Sequence, residues 1–232
     1  MDLSPRLMKI VDMIPPTDVV ADIGTDHGYV LIELLRQNKI KTGIASDNKV
    51  GPLDKAKMNA AEAGVKVNMQ FTLGNGLETL KGLPVNGAVL AGMGGVLTRD
   101  LLEKDLSVVK ELDFLLLQPA QNPEVLREYL YNGPFTILDE ALIREERRFY
   151  EAFLVCYCDH PEKMAEYVNY LVGERLIQNQ DPLLPDFLEE KIREGEAILA
   201  KLELNSESAQ IRQQVLTARI KDLRRLKDDC AG

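Results

Sequence analysis

From residue 19 onward, short apolar runs alternate with amphipathic ones, and this alternation limits the possible folds more than any other feature of the chain. "VVADIG", "KTGIASDN", "NMQFTLGNG", "GAVLAGMGG" and "DFLLLQPA" read as strands. "YVLIELLRQN", "LDKAKMNAAEAG", "LTRDLLEKDL" and "PEVLREYLYNG" read as helices between or after them, with a short helical link following the third strand. Strands that are apolar along most of their length are buried on both faces, so five strand–helix units predict a parallel sheet covered on both sides. Gly64 and Pro123 sit where a helix should stop and start. A short amphipathic helix precedes the sheet, with Ser4 as its N-cap, Pro5 in its first turn, and Leu7, Ile10, Val11 and Ile14 on one face.

The pattern changes after Gly133. "FTILDEALIREERRFYEAFLVCYC" holds two long strand-like runs with no helix between them, which predicts a hairpin supplying a sixth and a seventh strand. After Asp159-His160-Pro161 the strand signal ends. "KMAEYVNYLVGERL" reads as a helix and "NQDPLLPD" as a loop. "FLEEKIREGEAILAKLEL" and "SESAQIRQQVLTARIKDLRRLKDD" read as two long helices joined by the polar break "NSES". Ile211, Val215, Ala218, Ile220, Leu223 and Leu226 fall at roughly helical spacing, so an antiparallel helical hairpin is expected. The expected division is an α/β domain over 1–159 and a helical domain over 160–232.

The first strand ends in a glycine turn, "VVADIGTDHGYV". Such turns usually receive phosphate at a helix N-terminus, and a dinucleotide turn reads G-x-G-x-x-G. This one instead carries Asp22, Gly24, Asp26 and Gly28. A pyrophosphate placed there would meet carboxylate, and two like charges about 4 Å apart repel by about 4 kcal/mol at an effective dielectric of about 20. A cationic, phosphate-free nucleoside removes the conflict, so the turn favours S-adenosylmethionine over NAD. Asp47, followed by Asn48, ends the second strand where an acidic residue accepts ribose hydroxyls. Asn75 and Gly76 end the third strand beside a candidate adenine site. Gly92 and Met93 in "AGMGG" bring backbone close at the end of the fourth. All four segments lie at strand C-termini, where open α/β sheets bind ligands.

Other residues leave two readings open. His27 suits a ligand-facing, capping or solvated role, and Tyr29 and Met93 suit either a pocket wall or core. Gln118 and Asn122 in "LQPAQN" offer amides that could pair with a base edge, or they belong to a proline-rich loop before a helix. Arg144, Arg147 and Arg148 lie beside Phe149 and Tyr150 in the hairpin turn. They suit phosphate contact and base stacking, unless Glu145 and Glu146 pair with them. Lys221, Arg224, Arg225 and Lys227 form a basic helical face, more simply read as solvated. Cys156, Cys158 and His160 alternate on one side of a strand but match no usual zinc spacing, so core packing is expected and no metal.

The 232 residues, 45% hydrophobic and 28% charged, suit a soluble globular protein. No apolar run approaches the ~18–20 residues of a membrane span. Charges interrupt the N-terminal segment where a signal peptide would need an apolar core. Three cysteines make no disulfide framework and are expected as reduced thiols in a cytoplasmic protein. The net charge of −9 disfavours indiscriminate nucleic-acid binding but leaves room for a local basic face.

"DIGTDHGY", "AGMGG" and "LQPAQN", in this order and followed by a helical tail, resemble the bacterial TrmK family, S-adenosylmethionine-dependent tRNA methyltransferases that act on N1 of adenine 22. The resemblance spans nearly the whole chain. It departs after Tyr29, where Val30-Leu31-Ile32 stand in place of an early proline. It implies a class I (Rossmann-like, seven-stranded) methyltransferase domain with a C-terminal helical, coiled-coil-like domain. The implied cofactor is S-adenosyl-L-methionine and the implied partner is tRNA, with a monomer favoured and no membrane or metal. Arg6 and Lys9 of the first helix then join Arg144, Arg147 and Arg148 as a phosphate-contacting surface. Asp26, Gln118 and Asn122 become the candidate catalytic residues. N1 of adenine carries an in-plane lone pair, so transfer needs alignment more than a base. A carboxylate such as Asp26 would stabilise the cationic product, and the adenine must be turned out of its stack. "AGMGG" lacks the Asp/Asn-Pro-Pro-aromatic tetrapeptide common in exocyclic-amine methyltransferases, consistent with a ring-nitrogen target. The alternatives are a protein or small-molecule methyltransferase and a nucleotide-binding regulator without chemistry.

Overall fold

The structure, a computed structural model, describes residues 3–159, 168–203 and 205–231. It divides into two compact units, Met1–Met164 and Ala165–Gly232.

The first unit is built on a seven-stranded sheet comprising β1 (Val19–Ile23), β2 (Thr42–Asp47), β3 (Met69–Leu73), β4 (Gly87–Ala91), β5 (Phe114–Gln118), β6 (Phe135–Glu145) and β7 (Arg148–Tyr157). The order is β3-β2-β1-β4-β5-β7-β6. β1 to β5 run parallel, and β7 lies antiparallel between β5 and β6. The hairpin enters the sheet with its second strand first. Its turn is Glu146-Arg147, with Glu146 in the left-handed region at φ 54°. A shift in register between Ile137 and Asp139 leaves Leu138 bulged out and exposed.

Successive strand residues point to opposite faces, and the two faces carry separate cores. Ala21, Ile23, Leu90, Leu115 and Leu117 belong to one core; Val20, Ala45, Val89 and Leu116 belong to the other. The helices covering them are α1 (Pro5–Met13), α2 (Tyr29–Arg36), α3 (Val50–Glu62), α4 (Gly95–Lys104), the short α5 (Leu106–Val109) and α6 (Pro123–Asn132).

Two local devices hold α1 in place. The Ser4 hydroxyl accepts from the Leu7 N–H at its start, and the Lys39 ammonium donates to the carbonyls of Val11, Asp12 and Ile14 at its end. Ile10, Val11 and Ile14 are fully buried beneath it. Fixed this way, the first turn of α1 sits over the C-terminal edge of the sheet. On the other side, Arg127 of α6 is wholly buried and donates from Nε to Glu140 (2.8 Å) and from Nη2 to Glu151 (2.5 Å), tying α6 to the hairpin. Removing one partner of such a group leaves an uncompensated buried charge, so the arrangement ties α6 and both hairpin strands into one unit.

The second unit contains α7 (Val168–Val172), α8 (Glu174–Gln178), α9 (Leu184–Ala200) and α10 (Glu207–Ala231). The single helix expected over "KMAEYVNYLVGERL" is broken, because Gly173 adopts φ 88° between α7 and α8. Its first residues, through Tyr167, lie outside the described residues, as does His160. The loop expected over "NQDPLLPD" gives its last three residues to α9. Pro185 is tolerated in the first turn, where its missing N–H has no partner to lose. Along α10, Leu216, Ile220 and Leu223 are buried, while Ile211 and Val215 are 55% and 48% exposed. A 3.6-residue period drawn back from 216 passes through 212 and 209, so the expected apolar stripe leaves the seam at its N-terminal end. Gly195 of α9 admits Ile220, whose Cγ1 would lie 2.9 Å from a side chain there. Arg224 pairs with Glu196 and Lys227 with Glu189, so two of the four basic residues expected on the tail's surface serve the α9–α10 pair.

Candidate active site

Two cavities of about 370 and 390 Å³ lie at the C-terminal edge of β1, β2 and β4. They share Gly24, Ala91 and Gly92. The first takes its walls from the start of α1 (Arg6, Leu7) and from the turn after β1 (Asp22, Asp26, His27, Gly28). The second is lined by Asp47, Asn48, Asn75, Gly76, Met93, Leu97 and Leu101. The residues expected around a nucleoside ligand are thus gathered into one groove at four successive strand ends.

The β1 turn is held by the neighbouring strand: the N–H groups of Gly24 (φ 77°) and Thr25 both donate to the Ser46 carbonyl, at 2.8 and 3.0 Å. The terminal methyl of Met93 lies over Gly24, 2.4 Å from where a β-carbon would stand, and the left-handed backbone there favours glycine. Thr25 is buried. Its hydroxyl accepts from the Gly28 N–H (3.1 Å) and hydrogen-bonds the Asp22 carboxyl. Asp22 is itself buried, and its pKa is pushed up to about 6. Burial is the main cause and the like charge of Asp47 adds to it, while the Thr25 hydrogen bond opposes both. Among the described residues no cation offsets this shift.

Asp26 differs. Its carboxylate is 65% exposed, 3.0 Å from His27 Nε2 and 3.7 Å from Lys55. The His27 ring stacks on Tyr29 at 4.9 Å. The sequence presents Asp22 and Asp26 as equivalent, and the structure corrects this: solvent and Lys55 already compensate Asp26, and the unneutralised buried charge is Asp22. Asp47 accepts from the Lys49 N–H at 2.8 Å through one carboxylate oxygen, at the edge of the second cavity.

The ends of β4 and β5 are laced together. Gly92 N–H donates to the Gln118 carbonyl (2.9 Å), Ala120 N–H to Met93 (2.7 Å) and Gly95 N–H to Gln121 (2.7 Å). A β-carbon on Gly95 would lie 2.2 Å from the Asn122 carbonyl oxygen. The glycines of "AGMGG" therefore divide their work: Gly92 borders both cavities, and Gly95 permits the loop-to-loop contact. Asn122 is exposed in the left-handed conformation (φ 52°), and its side chain makes no capping bond to α6.

Gln118 does not offer its amide to a ligand in this arrangement. It is 1% exposed, its Oε1 accepts from Arg6 Nη1 (2.7 Å), and its Nε2 donates to the Pro119 carbonyl (2.9 Å). Arg6, expected among the phosphate contacts, is turned inward instead. Its side chain is only 26% exposed, with Nε 3.4 Å from Glu145 and its guanidinium 5.4 Å from the Tyr150 ring centre. Lys9 is half-buried on α1. Arg144, Arg147 and Arg148 are exposed around the hairpin turn, with Arg144 over Phe149 at 5.5 Å. Glu145, a possible partner for them, turns to Arg6 instead.

Thr25, Ser46, Leu97 and Leu101 are among the site residues not singled out from sequence. A hydroxyl in a turn carries no pattern, and Leu97 and Leu101, four apart, look like any buried helix face. Cys156 and Cys158 are half-buried. Among the described residues no group of three ligating side chains could hold a metal, and no helix is long and apolar enough to cross a membrane.

The chain matches the methyltransferase-domain family over residues 3–153. It is similar to the tRNA (adenine(22)-N(1))-methyltransferase of Bacillus subtilis, 32% identical over 152 residues. That alignment covers 66% of this chain and 64% of the Bacillus enzyme, just under two thirds of the relative's length. Among solved structures, M. capricolum TrmK in complex with the natural cofactor product S-adenosyl-homocysteine is 26% identical, with a TM-score of 0.83 over 97% of this chain and 98% of that one. The B. subtilis m1A22 tRNA methyltransferase TrmK, at 24% identity and a TM-score of 0.84 over 97% and 99%, shares the fold. With its sheet order and its groove at the ends of β1 and β4, the chain belongs to the methyltransferase-domain family.

Proposed function

We propose that the chain is an S-adenosyl-L-methionine-dependent methyltransferase that methylates N1 of adenine 22 in tRNA. The observation that carries the reading is Asp22, a buried carboxylate whose charge no cation among the described residues offsets, at the wall of a cavity that shares Gly24, Ala91 and Gly92 with the one bordered by Asp47. A buried charge of this kind calls for a cationic ligand. Asp22 suits the cofactor's α-ammonium, Asp47 its ribose hydroxyls, and Asn48, Asn75 and Gly76 with Leu97 and Leu101 an adenine ring. Gly24, Gly28, Gly92 and Met93 shape the passage between the two ends, beside Asp26 and His27. A dinucleotide would have to place its pyrophosphate against Asp22 and Asp26, which repel it.

When bound, the cofactor supplies an electrophilic methyl group on sulfur. The chain's own residues orient and shield. Gln118 and the laced loops fix the wall next to the shared glycines, and Asn122 stands exposed at its rim, placed to meet the target base. Asp26 borders the cavity on the solvent side, where a negative charge favours the cationic 1-methyladenine as it forms. No general base is needed, because N1 attacks through a lone pair that carries no proton. Arg144, Arg147 and Arg148, with Lys9, take tRNA phosphates. In this reading residues 1–159 form the catalytic domain, residues 160–232 form a helical coiled-coil-like accessory domain, and the protein works as a cytoplasmic monomer.

Unmodified tRNA transcripts incubated with methyl-labelled S-adenosylmethionine and digested to nucleosides provide the test. Label should appear in 1-methyladenosine and vanish from a transcript with position 22 changed. Absence of transfer to every tRNA tried refutes the reading, and transfer to protein or a small molecule replaces it.

A further inference from the structure

We propose that Arg6 is a positioning residue of the transfer site, a clamp joining Gln118 to Glu145, and not one of the tRNA phosphate contacts. This rests on the methyltransferase reading above. The sequence places Arg6 on an exposed turn of an amphipathic helix, where a cation reads as surface charge. In the structure that cation is partly buried and turned toward the end of β5 and the hairpin. Nη1 binds the Gln118 amide oxygen at 2.7 Å, Nε faces Glu145 at 3.4 Å, and the guanidinium lies over Tyr150. It also reaches within 4.0 Å of where a side chain on Gly92 would begin, at the glycine that borders both cavities.

Three segments meet on this one group: the start of α1, the end of β5, and the hairpin on either side of its turn. Each depends on it. The Gln118 oxygen is buried and accepts from Arg6, while the amide nitrogen of the same side chain is committed to Pro119. The Ser4 hydroxyl and the Arg6 backbone N–H also hold the Glu145 carboxylate below the usual carboxylate range, and the guanidinium is the cation facing its Oε2. A guanidinium reaches the two acceptors from different nitrogens at fixed angles, whereas an ammonium donates from a single point and does not reproduce that spacing. A phosphate contact needs only the charge. Lysine therefore separates the two roles.

The experiment uses the full chain with Arg6→Lys and Arg6→Gln. It reads single-turnover methyl transfer to a tRNA transcript, S-adenosylhomocysteine affinity by calorimetry, and the salt dependence of tRNA binding. Both variants should lose at least about tenfold in transfer rate, as expected when reacting groups are displaced by a fraction of an ångström. Cofactor-product affinity should fall less than the transfer rate, since Arg6 borders the cavity, and the salt slope should stay at its wild-type value. Wild-type transfer by Arg6→Lys overturns the inference. So does an Arg6→Gln variant whose salt slope falls by about 0.7–0.9, the signature of one lost phosphate contact. Should the Arg6 variants fail to fold, Glu145→Gln must reproduce the rate loss with an unchanged slope, and a wild-type rate in that variant overturns the clamp. A wild type inactive on every tRNA defeats the functional reading and the inference with it, whereas an active wild type with an active Arg6→Lys defeats the inference alone.

Discussion

Asp22→Asn should make the ligand-free protein more stable while crippling its cofactor site. Burial, reinforced by Asp47, lifts the Asp22 pKa from an ordinary 3.8 to about 6. The ionised carboxylate is thus worse off in the folded chain than in the unfolded one. At 1.36 kcal/mol per pH unit the penalty above pH 6 reaches about 3 kcal/mol. The sign follows from the direction of the shift: stability contributed by the protonated group is fully present below 3.8 and is lost as the pH rises through about 6. Asparagine keeps the shape without the charge. At pH 8 the variant should gain up to about 3 kcal/mol, moving a urea midpoint up by about 1.5 M at a slope of about 2 kcal/mol/M. Near pH 3, below the unfolded pKa, Asp22 is largely protonated in both states and the gain should fade toward zero. Calorimetry with S-adenosylhomocysteine supplies the other half. Wild-type affinity should fall by roughly tenfold per pH unit below about 6, as the carboxylate that receives the ammonium becomes protonated, while the variant binds weakly at every pH. Asp26 and His27 line the same cavity, so the wild-type-minus-variant difference isolates Asp22. An Asp22→Asn protein no more stable than wild type at pH 8, or one with wild-type pH dependence of binding, refutes the reasoning.

Asp47→Ala should weaken S-adenosylhomocysteine by about 1.5–3 kcal/mol, the cost of a charge-assisted hydrogen bond, measured by calorimetry at pH 8. Arg147→Ala combined with Arg148→Ala should lower the salt slope of tRNA binding by about 1.4–1.8, with cofactor-product affinity untouched. Gly95→Ala must push the β5 loop off α4, since its β-carbon would sit 2.2 Å from the Asn122 oxygen. It should cost about 1–3 kcal/mol in thermal or urea unfolding and depress transfer as well.

Much of this was open to a reader of the sequence. The β signal is strong because strands in a doubly covered parallel sheet are apolar on both faces, and the hairpin showed as two such runs without a helix between them. The groove was legible because strand C-termini converge on one edge whatever their loops contain. Asp22, Asp47, Asn75 and Gly92 needed only their place at the end of a strand. The helical tail was read less well. Whether Ile211 and Val215 enter the seam depends on rotation about α10, and the pattern of apolar residues alone gave the wrong phase for its first turns.

The sequence by itself determined the sheet, its two helical layers and the edge on which a ligand binds, because these follow from periodicity and the direction of the chain. Tertiary structure alone decided how the charges are used. Asp22 and Asp26 are alike in the sequence, but one is buried without a cation and the other is solvated beside Lys55. Arg6 and Arg147 both look like surface charge, but one is clamped between Gln118 and Glu145 while the other is exposed at the hairpin turn. A charge acts through its surroundings, and those are set by residues more than a hundred positions away in the chain, as Glu145 is from Arg6.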